Sequence, residues 1–185
     1  MLYTTIMEQL GELLSARIGK SEVLELSRLA ANSEATREEC FRLLFDDDKR
    51  TSDNAAWIMT NLPKSADRWL QGKQTQLIDE AMTTASDSKR RLIMVLLDRL
   101  KFEKETLQTD FLDFCFGRLL DPNEPYGIRS LAAKLAYAQC HYFPELREEL
   151  RQALELLERE ELKPGLTHTR KVVMGKVANA QNVNY

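Results

Sequence analysis

The sequence predicts an all-α protein built from stacked pairs of helices. Apolar residues recur three and four positions apart along most of the 185 residues, and the period-two alternation typical of β-strands does not persist. Most glycines and prolines fall between the periodic stretches rather than inside them. Similar segments also return after 39 and 41 residues, from Arg90 to Arg129 and from Arg129 to Arg170. Intervals of this size, in helix pairs, are typical of an α-solenoid.

Capping residues and helix breakers indicate where the N-terminal helices begin and end. The first helix is expected to end near Gly19, and Ser21 is expected to cap the second. Ser33 or Thr36 begins the third helix, and the fourth ends before Pro63. These four helices form the N-terminal part of the predicted stack.

The C-terminal helices show a stronger apolar pattern, beginning at Thr75. Asp87 or Ser88 is expected to cap the next helix. The segment 107–120 is apolar over most of its circumference, which predicts a central helix between neighbours. Pro164 and the following glycine separate the last helix from the one before. We therefore expect a single repeat domain over residues 1–178, with 1–32 as an N-terminal cap pair and 179–185 as a frayed tail.

One stretch resembles the HEAT-repeat family. Leu119-Leu120-Asp121-Pro122, followed by Ile128-Arg129-Ser130-Leu131-Ala132, is similar to the turn and second-helix start of that repeat, with about two extra residues in the turn. The resemblance implies a right-handed α-α superhelix of about four to five helix pairs. It also implies a ladder of turn aspartates and following arginines between adjacent repeats. The candidate pairs are Asp87 with Arg90 or Arg91, and Asp121 with Arg129, whereas Arg170 lacks an aspartate and predicts a weaker C-terminal end.

Composition argues against several classes of function. The net charge of −3 gives no global basic field for nucleic acid. The three cysteines lie in apolar patterns and are expected to be buried, reduced thiols. Neither a signal peptide nor a membrane-spanning run is evident, which favours a cytoplasmic protein. No metal-ligand spacing, nucleophile elbow or phosphate loop occurs, so we expect no metal, cofactor or catalytic residue.

Basic residues on the second helices are the candidate binding surface, because equivalent positions in a stack form rows on one face, usually the concave one. We assign to this surface Lys89, Arg90, Arg91, Arg129, Lys134, Arg170, Lys171 and Trp57. One interpretation is a solvated, salt-bridged face that stabilises the repeats. The other is a groove for an acidic peptide or a nucleic-acid backbone.

The fold-level resemblance favours a non-catalytic scaffold that presents its second-helix face to a protein partner. The alternative is DNA binding or alkylation repair, because some helical-repeat proteins resembling this chain are DNA glycosylases with aromatic, acidic and basic residues in a concave cleft. Trp57, Asp98 and Arg129 have the matching residue types. Self-association is a third possibility, and the sequence does not specify the oligomeric state.

Overall fold

The structure, a computed structural model, describes the backbone of residues 2–157 and 162–181. Helices fill most of these two ranges, and neither range contains a strand, which confirms the all-α prediction. The α-helices are α1 (Leu2–Ser15), α2 (Lys20–Asn32), α3 (Glu34–Leu43), α4 (Lys49–Thr60), α5 (Asp67–Gln71), α6 (Gln74–Thr83), α7 (Asp87–Leu97), α8 (Thr109–Leu120), α9 (Tyr126–Cys140), α10 (Pro144–Leu156) and α11 (Pro164–Gln181). With the short α5 set aside, they follow one another as pairs, and α2, α4, α7, α9 and α11 are the second helices.

The chain divides into two compact units, unit 1 (Met1–Leu96) and unit 2 (Leu97–Tyr185). In unit 1, α3 packs against both α2 and α4, and α1 packs against α4. A buried hydroxyl joins two of these helices, because Ser27 Oγ of α2 donates to the Ile58 carbonyl of α4 at 2.9 Å. Asn54 Nδ2 of α4 donates to the Leu14 carbonyl at the end of α1, at 2.8 Å.

In unit 2, α9 packs against α8, α10 and α11 and is the central helix. Its small residues Ala132, Ala133 and Ala136 are fully buried and let neighbouring helices approach closely. The sequence had placed the central position at 107–120, which is largely α8. In unit 2, α8 does pack against two helices, α9 and α10, but α9 has the larger number of packed neighbours. A wide apolar circumference predicts burial and not the number of neighbours.

Several helix boundaries differ from the predicted ones. Gly19 does not end α1 but precedes α2, where its N–H donates to the Glu22 carboxylate at 2.5 Å, so the predicted cap Ser21 lies inside the helix. Ser33 does cap α3. For α7 the capping hydroxyl is Ser86, which accepts from the Lys89 N–H at 3.3 Å. The last helix continues to Gln181, into the predicted tail, and residues 182–185 lie outside the described residues.

Candidate functional site

The residues assigned to the binding surface separate into buried and exposed groups. Almost fully buried are Lys89, Arg90 and Arg129, with exposed fractions of 5%, 7% and 1%. Exposed are Arg91, Lys134 and Lys171, while Trp57 and Arg170 are half-buried. A ligand in solvent reaches only the second and third groups.

Lys89 is neutralised inside unit 1. Its Nζ lies 2.6 Å from Glu80 Oε1 of α6, and the Lys89 side chain is only 7% exposed. A buried ammonium requires such a partner, because its desolvation is costly. The Lys89 side chain therefore joins α6 to α7, and its placement favours the structural interpretation.

Three arginines in the first two turns of second helices share one role: each donates from Nε to a carbonyl near the C-terminal end of the preceding first helix. The bonds run from Arg90 to Ala81 at 3.1 Å, from Arg129 to Leu119 at 2.9 Å and from Arg170 to Leu154 at 2.7 Å. Carbonyls in the last turn of a helix lack intrahelical partners and carry partial negative charge. The arginines supply the missing donor and a favourable positive charge.

These bonds refine the ladder implied by the family resemblance. Arg90 does pair with Asp87, at 2.8 Å, but both residues belong to α7, so the pair does not join adjacent repeats. The bonds to carbonyls, however, lie within helix pairs, and Arg170 makes one without an aspartate at the matching position. The Asp121 carboxylate accepts from the Asn123 N–H at 2.9 Å and so orders its own turn.

Two further arginines that the sequence analysis missed act in the same way. Arg37 Nη1 donates to the Ala30 carbonyl at the end of α2, at 3.1 Å. Arg147 Nη1 donates to the Ala180 carbonyl at the end of α11, at 2.9 Å. For Arg37 the available signal was an arginine in the first turn of a helix that follows a tight connection. Arg147 gave no such signal, because its carbonyl belongs to α11, the helix that follows its own. Cation-to-carbonyl capping thus recurs in both units.

The exposed residues of unit 1 line a groove of about 720 Å³, here called groove 1, between the second helices α4 and α7. Its wall includes Asp48, Arg50, Asp53 and Trp57 of the α4 segment, and Ser88 and Arg91 of α7. The Asp53 carboxylate accepts from Lys49 Nζ at 2.5 Å through one oxygen and from Ser86 Oγ at 2.9 Å through the other. Both oxygens of this acid are therefore occupied.

Asp48 is also engaged, because it caps α4. Its Oδ2 accepts from the backbone N–H and the hydroxyl of Thr51, both at 2.8 Å. These hydrogen bonds, together with the nearby Arg50 charge, lower the pKa of Asp48. The acid therefore stays ionised and keeps the first turn of α4 ordered.

Unit 2 carries a second groove, here called groove 2, of about 990 Å³. Its wall includes Lys134 and Tyr137 of α9, Tyr142 just after α9, Val172 of α11, and Asp98 and Phe102 of the segment after α7. Groove 2 thus lies on two second helices, as groove 1 does. The Lys134 ammonium is 3.3 Å from Asp98 Oδ2 in an exposed ion pair.

Aromatic rings form one wall of groove 2. His141 lies 3.8 Å from Tyr142 and 5.8 Å from Tyr137, measured between ring centroids. The Lys176 ammonium lies 5.6 Å from the Tyr137 ring centroid, within the range of a cation–π interaction. His141 Nδ1 is 2.9 Å from the Ala138 carbonyl and therefore carries the hydrogen in that contact.

The three residues proposed for a glycosylase-like cleft have different settings. Trp57 lies in groove 1 and Asp98 in groove 2. Arg129 is 1% exposed and donates to a backbone carbonyl. Because its guanidinium is buried, Arg129 is not positioned to meet a base or a phosphate.

Trp69, the other tryptophan of the chain, lies at a polar cluster in unit 1. Its Nε1–H donates to Glu38 Oε1 at 2.8 Å, and Lys73 Nζ lies 2.9 Å from Glu38 Oε2. The hydrogen bond from Lys73 is the main cause that lowers the pKa of Glu38. Trp69 does not line groove 1 or groove 2.

The cysteines are free, and all three are fully buried, which confirms the predicted burial. Burial raises the pKa of the Cys40 and Cys140 thiols to about 12, and raises that of Cys115 as well. A thiol that is not ionised near neutral pH is a poor nucleophile and metal ligand. Within the described residues, no three His, Cys, Asp or Glu side chains are grouped as metal ligands.

Comparisons with known proteins agree with the helix-pair architecture. Among the described helices, none combines the length and apolar character needed to cross a membrane. No curated protein and no solved structure shows significant similarity to the chain. A family model described as a HEAT repeat domain matches residues 10–177, which spans α2 to α10 completely and reaches into α1 and α11. Because this match covers most of the sequence, the chain belongs to the HEAT repeat family.

Proposed function

We propose that this protein is a non-catalytic interaction module that binds a protein partner on the surface lined by its second helices. Membership of the HEAT repeat family supports a helical scaffold, and the finer role is our inference. The observation that carries it is groove 2, because its wall joins Tyr137, Tyr142 and Phe102 to Lys134 and Val172. Tyrosine and phenylalanine are enriched at the centres of protein interfaces, where they bury much apolar area with little loss of side-chain freedom.

Exposure within groove 2 also favours a partner. Tyr142 and Val172 are 38% and 42% exposed, so part of their apolar surface remains in water. A partner that covered them would gain about 25 cal/mol per Å² of apolar area. Helical walls of this kind are already ordered, so binding loses little conformational entropy on this side of the interface.

The alternative role in DNA binding or base excision receives less support. Nucleic-acid affinity depends on a track of several cations that neutralise phosphates. Lys89, Arg90 and Arg129 are buried and bonded within the protein, so they do not extend such a track. We therefore retain the protein-partner proposal. The cytoplasmic location stays a prediction from the sequence.

Site-specific photocrosslinking in cells tests the proposal. A photoreactive amino acid at Val172, in groove 2, is expected to capture a defined partner protein. The matched control is the same substitution at Leu156, an exposed residue of the first helix α10 that does not line the groove. Equal capture from both positions, or capture from position 156 alone, would place the partner surface elsewhere and refute the proposal.

A further inference from the structure

Groove 1 contains two guanidinium groups that form no ion pair with the described residues. Arg50 and Arg91 are exposed and line the same groove. Among the residues that the structure describes, neither guanidinium has a carboxylate within ion-pair distance. The nearby Lys49, in contrast, pairs with Asp53 at 2.5 Å.

The acids of groove 1 cannot readily turn to these arginines. Both oxygens of Asp53 are occupied by Lys49 and Ser86. Asp48 is held by two hydrogen bonds from Thr51 as the cap of α4. The acids of the groove are therefore held by other partners, and neither arginine forms an ion pair, although Arg50 lies close enough to Asp48 to lower its pKa. Two guanidinium groups outside ion pairs favour an anionic occupant.

Trp57 adds an apolar component beside these charges. It is half-buried and lines the same groove as Arg50 and Arg91. A guanidinium binds a carboxylate through two parallel N–H···O bonds, and the neighbouring indole can cover the aliphatic part of an acidic side chain or its backbone. Two arginines and a partly apolar wall in one groove suit a short segment that carries more than one carboxylate.

The number of available cations distinguishes a peptide from a nucleic-acid backbone. A protein that binds duplex DNA commonly makes about six to ten contacts with phosphates. Groove 1 offers two arginines outside ion pairs, and it also presents Asp48 and Asp53, which would repel a continuous row of phosphates. A peptide with separated carboxylates avoids those two acids.

We propose that groove 1 is the binding site for an acidic peptide segment of a partner protein, with Arg50 and Arg91 receiving its carboxylates and Trp57 contacting the chain between them. This inference rests on the proposed function, which it deepens by naming the chemistry of the partner. It does not require groove 2 to bind the same segment.

The test is a fluorescence titration of the full chain with a synthetic ten-residue peptide that carries four spaced glutamates. Its control peptide has glutamine at those four positions. Binding is expected to change the tryptophan emission in the parent protein and not in Trp57→Phe, where only Trp69 remains. We expect the affinity to fall several-fold as salt rises from about 0.05 to 0.5 M, because exposed charge pairs are screened.

Arginine variants identify the residues responsible. Arg50→Gln and Arg91→Gln are each expected to weaken binding about tenfold, the order expected for loss of one charge-assisted contact. Arg28→Gln is the matched control, since Arg28 is an exposed arginine of unit 1 outside groove 1. All three variants change exposed side chains, so circular dichroism should report an unchanged fold.

Three results would overturn the inference. The first is equal affinity for the glutamate and glutamine peptides, or no binding at millimolar peptide. The second is an equal loss in Arg28→Gln and Arg91→Gln. The third is tighter, arginine-dependent binding of a duplex DNA of mixed sequence than of the peptide. If the parent protein fails to bind the glutamate peptide while crosslinking from position 172 still captures the partner, the inference fails and the proposed function stands.

Discussion

Arg129 offers the clearest test of the capping role assigned to the buried arginines. We consider Arg129→Met, which keeps most of the aliphatic volume and removes the donors and the charge. The side chain is 1% exposed, and its Nε–H donates to the Leu119 carbonyl at 2.9 Å. The substitution therefore leaves a carbonyl at the end of α8 without this donor, in a place that water reaches poorly.

The expected loss of stability follows from these contacts. A hydrogen bond from a charged donor contributes about 1.5–3 kcal/mol, and an orphaned buried acceptor costs about 1–3 kcal/mol. These two figures describe one event and are not additive. Removing the guanidinium also removes the cost of desolvating a buried charge, which makes the loss of stability smaller. We expect the free energy of unfolding to fall by about 2 kcal/mol in Arg129→Met.

Urea denaturation followed by circular dichroism at 222 nm measures this loss. The control is Lys134→Met on the same helix, because Lys134 is 45% exposed and forms an exposed ion pair with Asp98. Such pairs contribute about 0–1 kcal/mol. If Arg129→Met lost less than about 0.5 kcal/mol, the range of ordinary surface changes, or no more than the control, the capping argument would be refuted.

Three further predictions test other parts of the structure. Ser33→Ala, which removes the cap of α3, should cost about 1 kcal/mol in urea denaturation, whereas Ser21→Ala inside α2 should cost clearly less. Because Lys73 lowers the pKa of Glu38, their pair stabilises the fold above the unfolded-state pKa of about 4.3. Urea denaturation should therefore show Lys73→Met to be less stable than the parent at pH 7. The difference in the free energy of unfolding should narrow as the pH falls through the lowered pKa of Glu38. The buried thiol of Cys115 should react with an aromatic disulfide at pH 8 far more slowly in the native chain than in urea, and fast reaction in the native chain would contradict its burial.

The starts of α2 and α3 show how well a local sequence pattern predicts a helix boundary. Ser33 was identified because a hydroxyl before a helix predicts a cap, and the structure confirms it. Ser21 satisfied the same rule and failed, because the Glu22 carboxylate bonds back to the Gly19 N–H and begins α2 earlier. Both residues were plausible caps, and a competing local hydrogen bond decided between them.

The binding surface stays a prediction, and the structure adds the composition of the two grooves that lie on the second helices. The sequence placed the binding surface on the second helices. Groove 1 lies between second helices of unit 1, and groove 2 lies between second helices of unit 2. The sequence did not anticipate the aromatic wall of groove 2, because Tyr137 and Tyr142 lie on different turns and a histidine ring joins them. The predicted right-handed superhelix and single domain remain predictions.

By itself, the sequence determined the helical class, the recurrence of helix pairs and the burial of the cysteines, because apolar periodicity and turn residues act over a few neighbouring positions. Only the tertiary structure decided which cations remain in water. Arg91 and Arg129 both lie near the start of a second helix, yet Arg91 is exposed and Arg129 is buried. Their environments differ because the carbonyl that binds Arg129 belongs to the preceding helix, and its distance depends on how the two helices of a pair pack together.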